Sequence, residues 1–186
     1  MVEDVDAELI GRAQRGDEEA FADLIDAVGG RLHAVAHRIL RDTDLAEDAT
    51  QQALLDIWRD LPDLRDPARF DAWSYRLLVR ACYAEGRRSR RATPNLRLLP
   101  TDESTAGEGL SEVVDRDQLE RGFRRLSLEH RAVVVLHHYL DLPLEQIAET
   151  LGVPPGTVRS RLHHAMRGLR AALDADARPV PREAAG

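Results

Sequence analysis

Lysine is missing from this chain: all 26 of its basic side chains are arginine. Arginine stays charged and grips phosphate or guanine through paired bonds, but so complete an exclusion of lysine reads first as the codon usage of a GC-rich genome. Cysteine is nearly missing too. A lone Cys82 excludes an intrachain disulfide and fits a reducing cytoplasm. No apolar run has the length of a membrane span, and the acidic N-terminal residues carry no signal-peptide pattern. A soluble, cytoplasmic protein is expected. No glycine-rich phosphate loop, Ser-His-Asp order or paired-carboxylate motif stands out, which argues against an enzyme and against any cofactor. Histidines are present, with His33 and His37 one helical turn apart and adjacent pairs at His137-His138 and His163-His164. A structural zinc site needs four ligands, often including cysteine, and nothing completes such a set, so no metal is expected.

What is there is helix. The 186 residues allow one domain or two small ones, and the net charge is −7, so any binding to nucleic acid must rest on local basic patches in an acidic body. Asp4 or Asp6 precedes a helical pattern at Leu9, Ile10 and Ala13 that stops at Gly16. A second helix starts near Asp17 and carries Phe21, Leu24, Val28, Leu32, Val35, Ala36 and Ile39, with Gly29 and Gly30 expected to bend or break it. Asp42 or Thr43 caps a third, whose apolar stripe is Leu45, Ala49, Ala53, Ile57 and Trp58. Pro62 and Pro67 bracket a loop, and a further helix runs from about Ala68 through the cluster Arg87, Arg88, Arg90 and Arg91.

From Ala92 to Gly109 proline, glycine, serine, threonine and acids replace the periodicity, as in an interdomain linker. Helical pattern resumes around Val113, and Ser127 can cap a helix containing Val133 to Leu136. The Ala-, Asp- and Pro-rich tail after Asp174 is expected to be disordered. No internal repeat is visible. The fold class is all-α: a helical domain over 1–91, a flexible linker over 92–112, a second helical domain over 113–175 and a tail over 176–186.

Residues 142–169 carry the most information. Ile147, Ala148 and Leu151 share one face of a short helix, Gly152 supplies a sharp turn, and Val158, Leu162, Ala165 and Leu169 continue the apolar spacing on a second helix. This is a helix-turn-helix, which presents its second helix to a DNA major groove. After Glu149 no acid appears until Asp174, while Arg159, Arg161, Arg167 and Arg170 accumulate, as contact with phosphates requires.

The motifs, in this order, resemble a known family. Glu8-Leu9-Ile10, Gly16-Asp17-Glu18-Glu19-Ala20-Phe21, Ala46-Glu47-Asp48-Ala49-Thr50-Gln51, Phe70-Asp71-Ala72-Trp73 and the arginine cluster look like region 2 of a sigma-70 family factor. The helix-turn-helix, with Gly156-Thr157-Val158-Arg159-Ser160-Arg161-Leu162, looks like region 4. Two such regions and a linker, over roughly residues 6 to 173, resemble the extracytoplasmic function (ECF) group of alternative sigma factors. The resemblance implies a non-enzymatic initiation subunit that is monomeric when free. Its partners would be core RNA polymerase (β and β′ subunits), promoter DNA and, in some cases, an anti-sigma factor.

The resemblance also assigns sites. The helix carrying Asp48, Gln51, Gln52 and Asp56 would dock on the β′ clamp helices, where an acidic, amide-rich face suits an arginine-bearing partner and repels DNA. For the −10 element the expected set is Arg65, Arg69, Phe70, Trp73, Arg76, Arg80, Arg87 and Arg88: aromatic rings stack on unpaired bases and arginines track the backbone. The loop Leu64 to Arg69 would hold a flipped base. The chain departs from the family at Arg80, where asparagine is usual, and at Ala84, often Asp or Asn, so the family's −10 base preference does not transfer. For the −35 element the set is Thr157, Arg159, Ser160, Arg161, His163, His164 and Arg167, with Arg159 and Ser160 near the helix N-terminus where base edges are reached. Arg161, at the edge of the buried face, serves either phosphate binding or interhelix packing. The rival reading is a helix-turn-helix regulator that binds DNA without polymerase; it leaves the region 2 motifs unexplained.

Overall fold

A computed structural model describes residues 5–92 and 119–176, of which 92 and 174–176 are described by their backbone alone. Its regular structure there is helical throughout. Helix α1 spans Ala7–Gln14, α2 Glu18–Leu40, α3 Thr43–Asp60 and α4 Phe70–Ala92. Two 3-10 turns, Leu61–Asp63 and Pro67–Arg69, fill the gap before α4. Helix α5 is described over 119–125, and α6 (Leu128–His138), α7 (Leu144–Leu151) and α8 (Pro155–Asp176) complete the order.

Short polar side chains set the helix starts. The carboxylates of Asp6, Asp17 and Asp42 accept from the backbone N–H groups of Glu8, Ala20 and Leu45, and the Ser127 hydroxyl from His130. Each satisfies an otherwise orphaned donor, worth about 1 kcal/mol. Gly16 and Gly152, at φ +86° and +64°, make the turns that end α1 and α7, a backbone region where a side chain would be strained.

Helices α1 to α4 form one bundle. Leu24, Val28, Leu32, Val35 and Ile39 of α2, Ala49, Ala53 and Ile57 of α3, and Leu78 and Cys82 of α4 are fully buried together. Each large aliphatic side chain so buried contributes roughly 1.5–3 kcal/mol. That burial overrides local propensity: α2 runs unbroken through Gly29 and Gly30, where a bend or break was expected. Each glycine costs about 1 kcal/mol against alanine, less than the flanking burial supplies. The apolar stripe of α3 needs a second correction. Trp58 does not join Ala53 and Ile57 in the core but lies 51 % exposed.

Helices α6 to α8 bury Ala132, Val133 and Leu136 against Ile147, Val158 and Ala165. The valine run is helical, as its flanks imply. The expected helix start near Val113, the linker beyond Ala92 and the tail beyond Asp176 lie outside the described residues. Ala92 and Asp176 themselves end α4 and α8.

The two bundles pack against each other through a continuous apolar core. Leu128 of α6 sits so close to α4 that a Cβ on Gly86 would come within 2.8 Å of its Cδ2. Arg131 of α6 donates to the Leu40 carbonyl at 3.1 Å, and its burial pushes the guanidinium pKa down to about 10. The Arg38 guanidinium lies 3.8 Å from the centre of the Tyr139 ring, and Arg41 pairs with Glu120.

Candidate nucleic-acid interface

Helix α4 presents arginine along one side. Arg76, Arg80 and Arg87 are exposed at near-integral helical turns, with Arg91 continuing the stripe. Arg88 is exposed and paired with Glu85 at 3.2 Å, and Arg90 is turned back onto the Gly86 carbonyl. Arg80 lies within electrostatic reach of Asp60, whose carboxyl is held below its usual range, first by its bond from Arg59.

The loop before α4 supplies Arg65 and Arg69, both exposed. Its backbone is ordered from two directions. Asp66 accepts from the Ala68 N–H at 3.1 Å and starts the second turn. From α1, the Gln14 amide donates to the carbonyls of Leu61 and Leu64 at 3.1 and 2.6 Å. Gln14 was not singled out in the sequence, because nothing local marks a glutamine for a contact some fifty positions away. Arg69 is not free: it donates to Glu149 of α7.

The aromatic members of the expected −10 set divide. Phe70 is 2 % exposed and belongs to the core, its ring 5.9 Å from that of Trp73. It is therefore removed from the base-stacking set, because the first residue of α4 points into the bundle. Trp73 is half-buried against the same core. Tyr75 is buried as well, and burial raises its phenol to about 12.

On α8 the expected −35 residues separate by face. Arg159, Ser160, His163 and Arg167 are exposed, and Arg159, His163, Arg167 and Arg170 line a shallow groove floored by Leu162 and Met166. Thr157 is half-buried in the first turn. His164 lies to one side, its ring 6.4 Å from that of His130 and its Nδ1 3.2 Å from Arg167. Arg161 is half-buried within electrostatic reach of Tyr83, Glu129 and His130, which favours the packing alternative over the phosphate one.

The acidic face of α3 is open to solvent. Asp48, Gln51 and Gln52 are exposed; Asp56 is partly covered, accepting from Gln52 at 3.1 Å and pairing with Arg59 at 3.1 Å. Amid these polar groups stand Leu55 and Trp58, 56 % and 51 % exposed, with the Trp58 ring edge-on to Phe21 at 4.4 Å. The helical spacing of 48, 51, 52, 55 and 58 places Trp58 on this outer face rather than with the apolar stripe. Among the described residues no cluster of three metal-ligating side chains occurs, and no helix is long and apolar enough to cross a membrane.

Two family models match the chain: sigma-70 region 2 over residues 24–92 and sigma-70 region 4 over residues 116–169. The ECF RNA polymerase sigma factor SigL of Mycobacterium tuberculosis is 34% identical over 156 residues, covering 81% of this chain and 86% of its own. Among solved structures, CnrH in complex with the cytosolic domain of CnrY superposes with a TM-score of 0.65 at 25% identity, covering 92% of this chain and 99% of its own. The sigma factor RpoE in complex with the anti-sigma factor NepR, from Bartonella quintana, has the same fold, with a TM-score of 0.66 at 22% identity over 84% of this chain and 98% of its own. The chain belongs to the ECF group of sigma-70 family factors, alternative sigma factors that direct promoter-specific initiation by RNA polymerase.

Proposed function

We propose that the chain divides its work among three surfaces: the outer face of α3 for core polymerase, the loop 61–69 with α4 for the −10 element, and α8 for the −35 element. The observation that carries this division is the segregation of charge. Asp48, Gln51, Gln52 and Asp56 recur at helical spacing on α3, whereas the exposed arginines expected to meet DNA are carried by the loop, α4 and α8. Acidic and apolar groups on one face suit a protein partner and repel phosphate. Leu55 and Trp58 give that face the apolar centre that strong protein interfaces use.

On DNA, Arg76, Arg80, Arg87 and Arg88 track the backbone of the −10 strand while Trp73 offers an edge to its bases. Arg65 and Arg69 flank the captured base. Arg159 and Ser160 read −35 base edges, with His163 and Arg167 beside them. Element centres some 25 base pairs apart lie roughly 85 Å apart along the duplex at about 3.4 Å per pair. The α4 and α7 helices are in direct contact in the structure, so the regions separate when both elements are engaged. The domain limits for this reading are 1–91, 92–112, 113–175 and 176–186.

In this reading the protein is cytoplasmic, is a monomer when free of polymerase, and has no catalytic activity, metal or cofactor of its own. An anti-sigma factor is a further partner, by analogy with the complex that RpoE forms with NepR. The reading is tested by mixing purified chain with core polymerase in gel filtration. A one-to-one complex is expected, weakened when Asp48→Arg is combined with Gln51→Ala while the chain stays folded; unchanged association in the double variant overturns the face assignment.

A further inference from the structure

We infer that Gln14 is a positioning residue for −10 base capture: its side-chain amide, reaching from the end of α1, holds the base-capturing loop in its binding shape. The inference rests on the proposed role of the loop 61–69.

Gln14 is the last residue of α1, a helix docked on the bundle through the buried Ile10 and Ala13. Its Nε2 donates to two carbonyls of the loop, those of Leu61 at 3.1 Å and Leu64 at 2.6 Å. The Leu61 carbonyl also accepts from the Leu64 N–H at 3.1 Å, so the amide completes a closed three-way contact at the first turn. The second turn is closed separately by Asp66, which accepts from Ala68 through its carboxylate and from Arg69 through its backbone carbonyl. Between these two fixed points Arg65 stands exposed. Buried Leu61 and half-buried Leu64 anchor the inner side.

The chemistry favours a rigid loop here. Extruding a base costs unstacking, and a receptor that must also order its own backbone loses affinity on top of that cost. A loop already braced by side-chain donors avoids the second loss, and a fixed rim also discriminates bases better than a yielding one. A glutamine fits the position because its NH2 offers two donors to two acceptors, and its reach spans from a neighbouring helix. Glutamate has the same shape and no donor, and it places a carboxylate against two carbonyl dipoles.

The test uses holoenzyme assembled from core polymerase and the full chain carrying Gln14→Glu, Gln14→Ala or Gln14→Lys. Affinity is measured for single-stranded −10 oligonucleotides bearing each of the four bases at the captured position, with core affinity and thermal stability of each variant alongside. Gln14→Glu is expected to lower strand affinity roughly tenfold, as for two lost hydrogen bonds, and to flatten the preference among bases while core affinity holds. Gln14→Ala should fall between, and Gln14→Lys, which restores donors to both carbonyls, should recover most of the preference. Wild-type affinity and preference in Gln14→Glu overturn the inference. So does a loss of strand binding that merely tracks lost stability or core affinity with the base preference intact. If wild-type holoenzyme itself shows no base preference on the −10 strand, the proposed role of the loop fails, and the inference with it.

Discussion

Arg69, which closes the turn leading into α4, donates to the carboxylate of Glu149 on α7 across 2.5 Å. One arginine expected to touch promoter DNA thus holds the first helix of the helix-turn-helix, and a phosphate has to compete with Glu149 for its charge. Both partners are more than half exposed, at 60% and 53%, so the pair is worth under about 1 kcal/mol. Glu149→Gln should raise the affinity of the free chain for a −10 single strand by up to about fivefold at low salt. The gain should shrink as salt screens the pair. Fluorescence anisotropy at two salt concentrations checks this; a gain that persists undiminished at high salt contradicts an ionic origin.

Trp58 should be the anchor of the polymerase face. A large aromatic ring left half exposed beside Leu55, and braced edge-on by Phe21, has the properties of an interface hot spot. Trp58→Ala should cost about 2 kcal/mol or more of core affinity, roughly thirtyfold, with a small change in the chain's own melting temperature. Core binding by surface plasmon resonance decides it. Equal losses of stability and affinity would return Trp58 to the core role first read from the sequence.

Phe70 carries the opposite expectation. Fully enclosed at the start of α4, it should cost about 3–5 kcal/mol of stability when truncated to alanine. Denaturant titration measures that cost. A stable Phe70→Ala chain with lost −10 strand binding would restore the stacking role that its burial argues against.

Arg159 and the pair Arg87 and Arg88 should fail in different ways. Arg159→Ala is expected to cost roughly 1–3 kcal/mol and to relax preference at one −35 position. Loss of Arg87 and Arg88 should weaken binding on many promoters alike and flatten its salt dependence. Competition binding over a set of single-base −35 variants, repeated across salt, separates the two; uniform loss from Arg159→Ala would make it a phosphate contact.

Arg80 stands where the family usually has asparagine, on the same side of α4 as Arg76 and Arg87. A basic track favours the backbone over a base edge, so Arg80→Asn should reduce opening evenly across a panel of −10 variants. A changed order of preference among those variants would mean that Arg80 reads a base.

The helical architecture is legible from caps and periodicity. Asp6, Asp17, Asp42 and Ser127 start helices as their short polar side chains require, and the turn at Gly152 follows from its backbone freedom. The errors have a common physical source, since each depends on what lies across the fold. The Gly29-Gly30 pair is a weak point locally, but packing on both sides carries α2 through it. Phe70 and Trp58 are both large aromatic residues beside polar ones, and only the direction of each helix in the bundle sends the first inward and the second out. Gln14 and Glu149 acquire their roles from partners 50 and 80 positions away. Periodicity along one helix holds no record of such partners.

The central claim, that this chain makes core RNA polymerase specific for a two-element promoter, is tested most directly by transcription from purified parts. Core polymerase alone, and core with the chain, are supplied with a library of promoters with randomised −10 and −35 sequences, and transcripts are sequenced from their 5′ ends. The account predicts transcripts only in the presence of the chain, from templates enriched for one −35 and one −10 sequence at a fixed spacing. Arg159→Ala should blur the −35 part alone. Transcript starts unchanged by adding the chain, or specific promoter binding by the chain with no transcription, would contradict it.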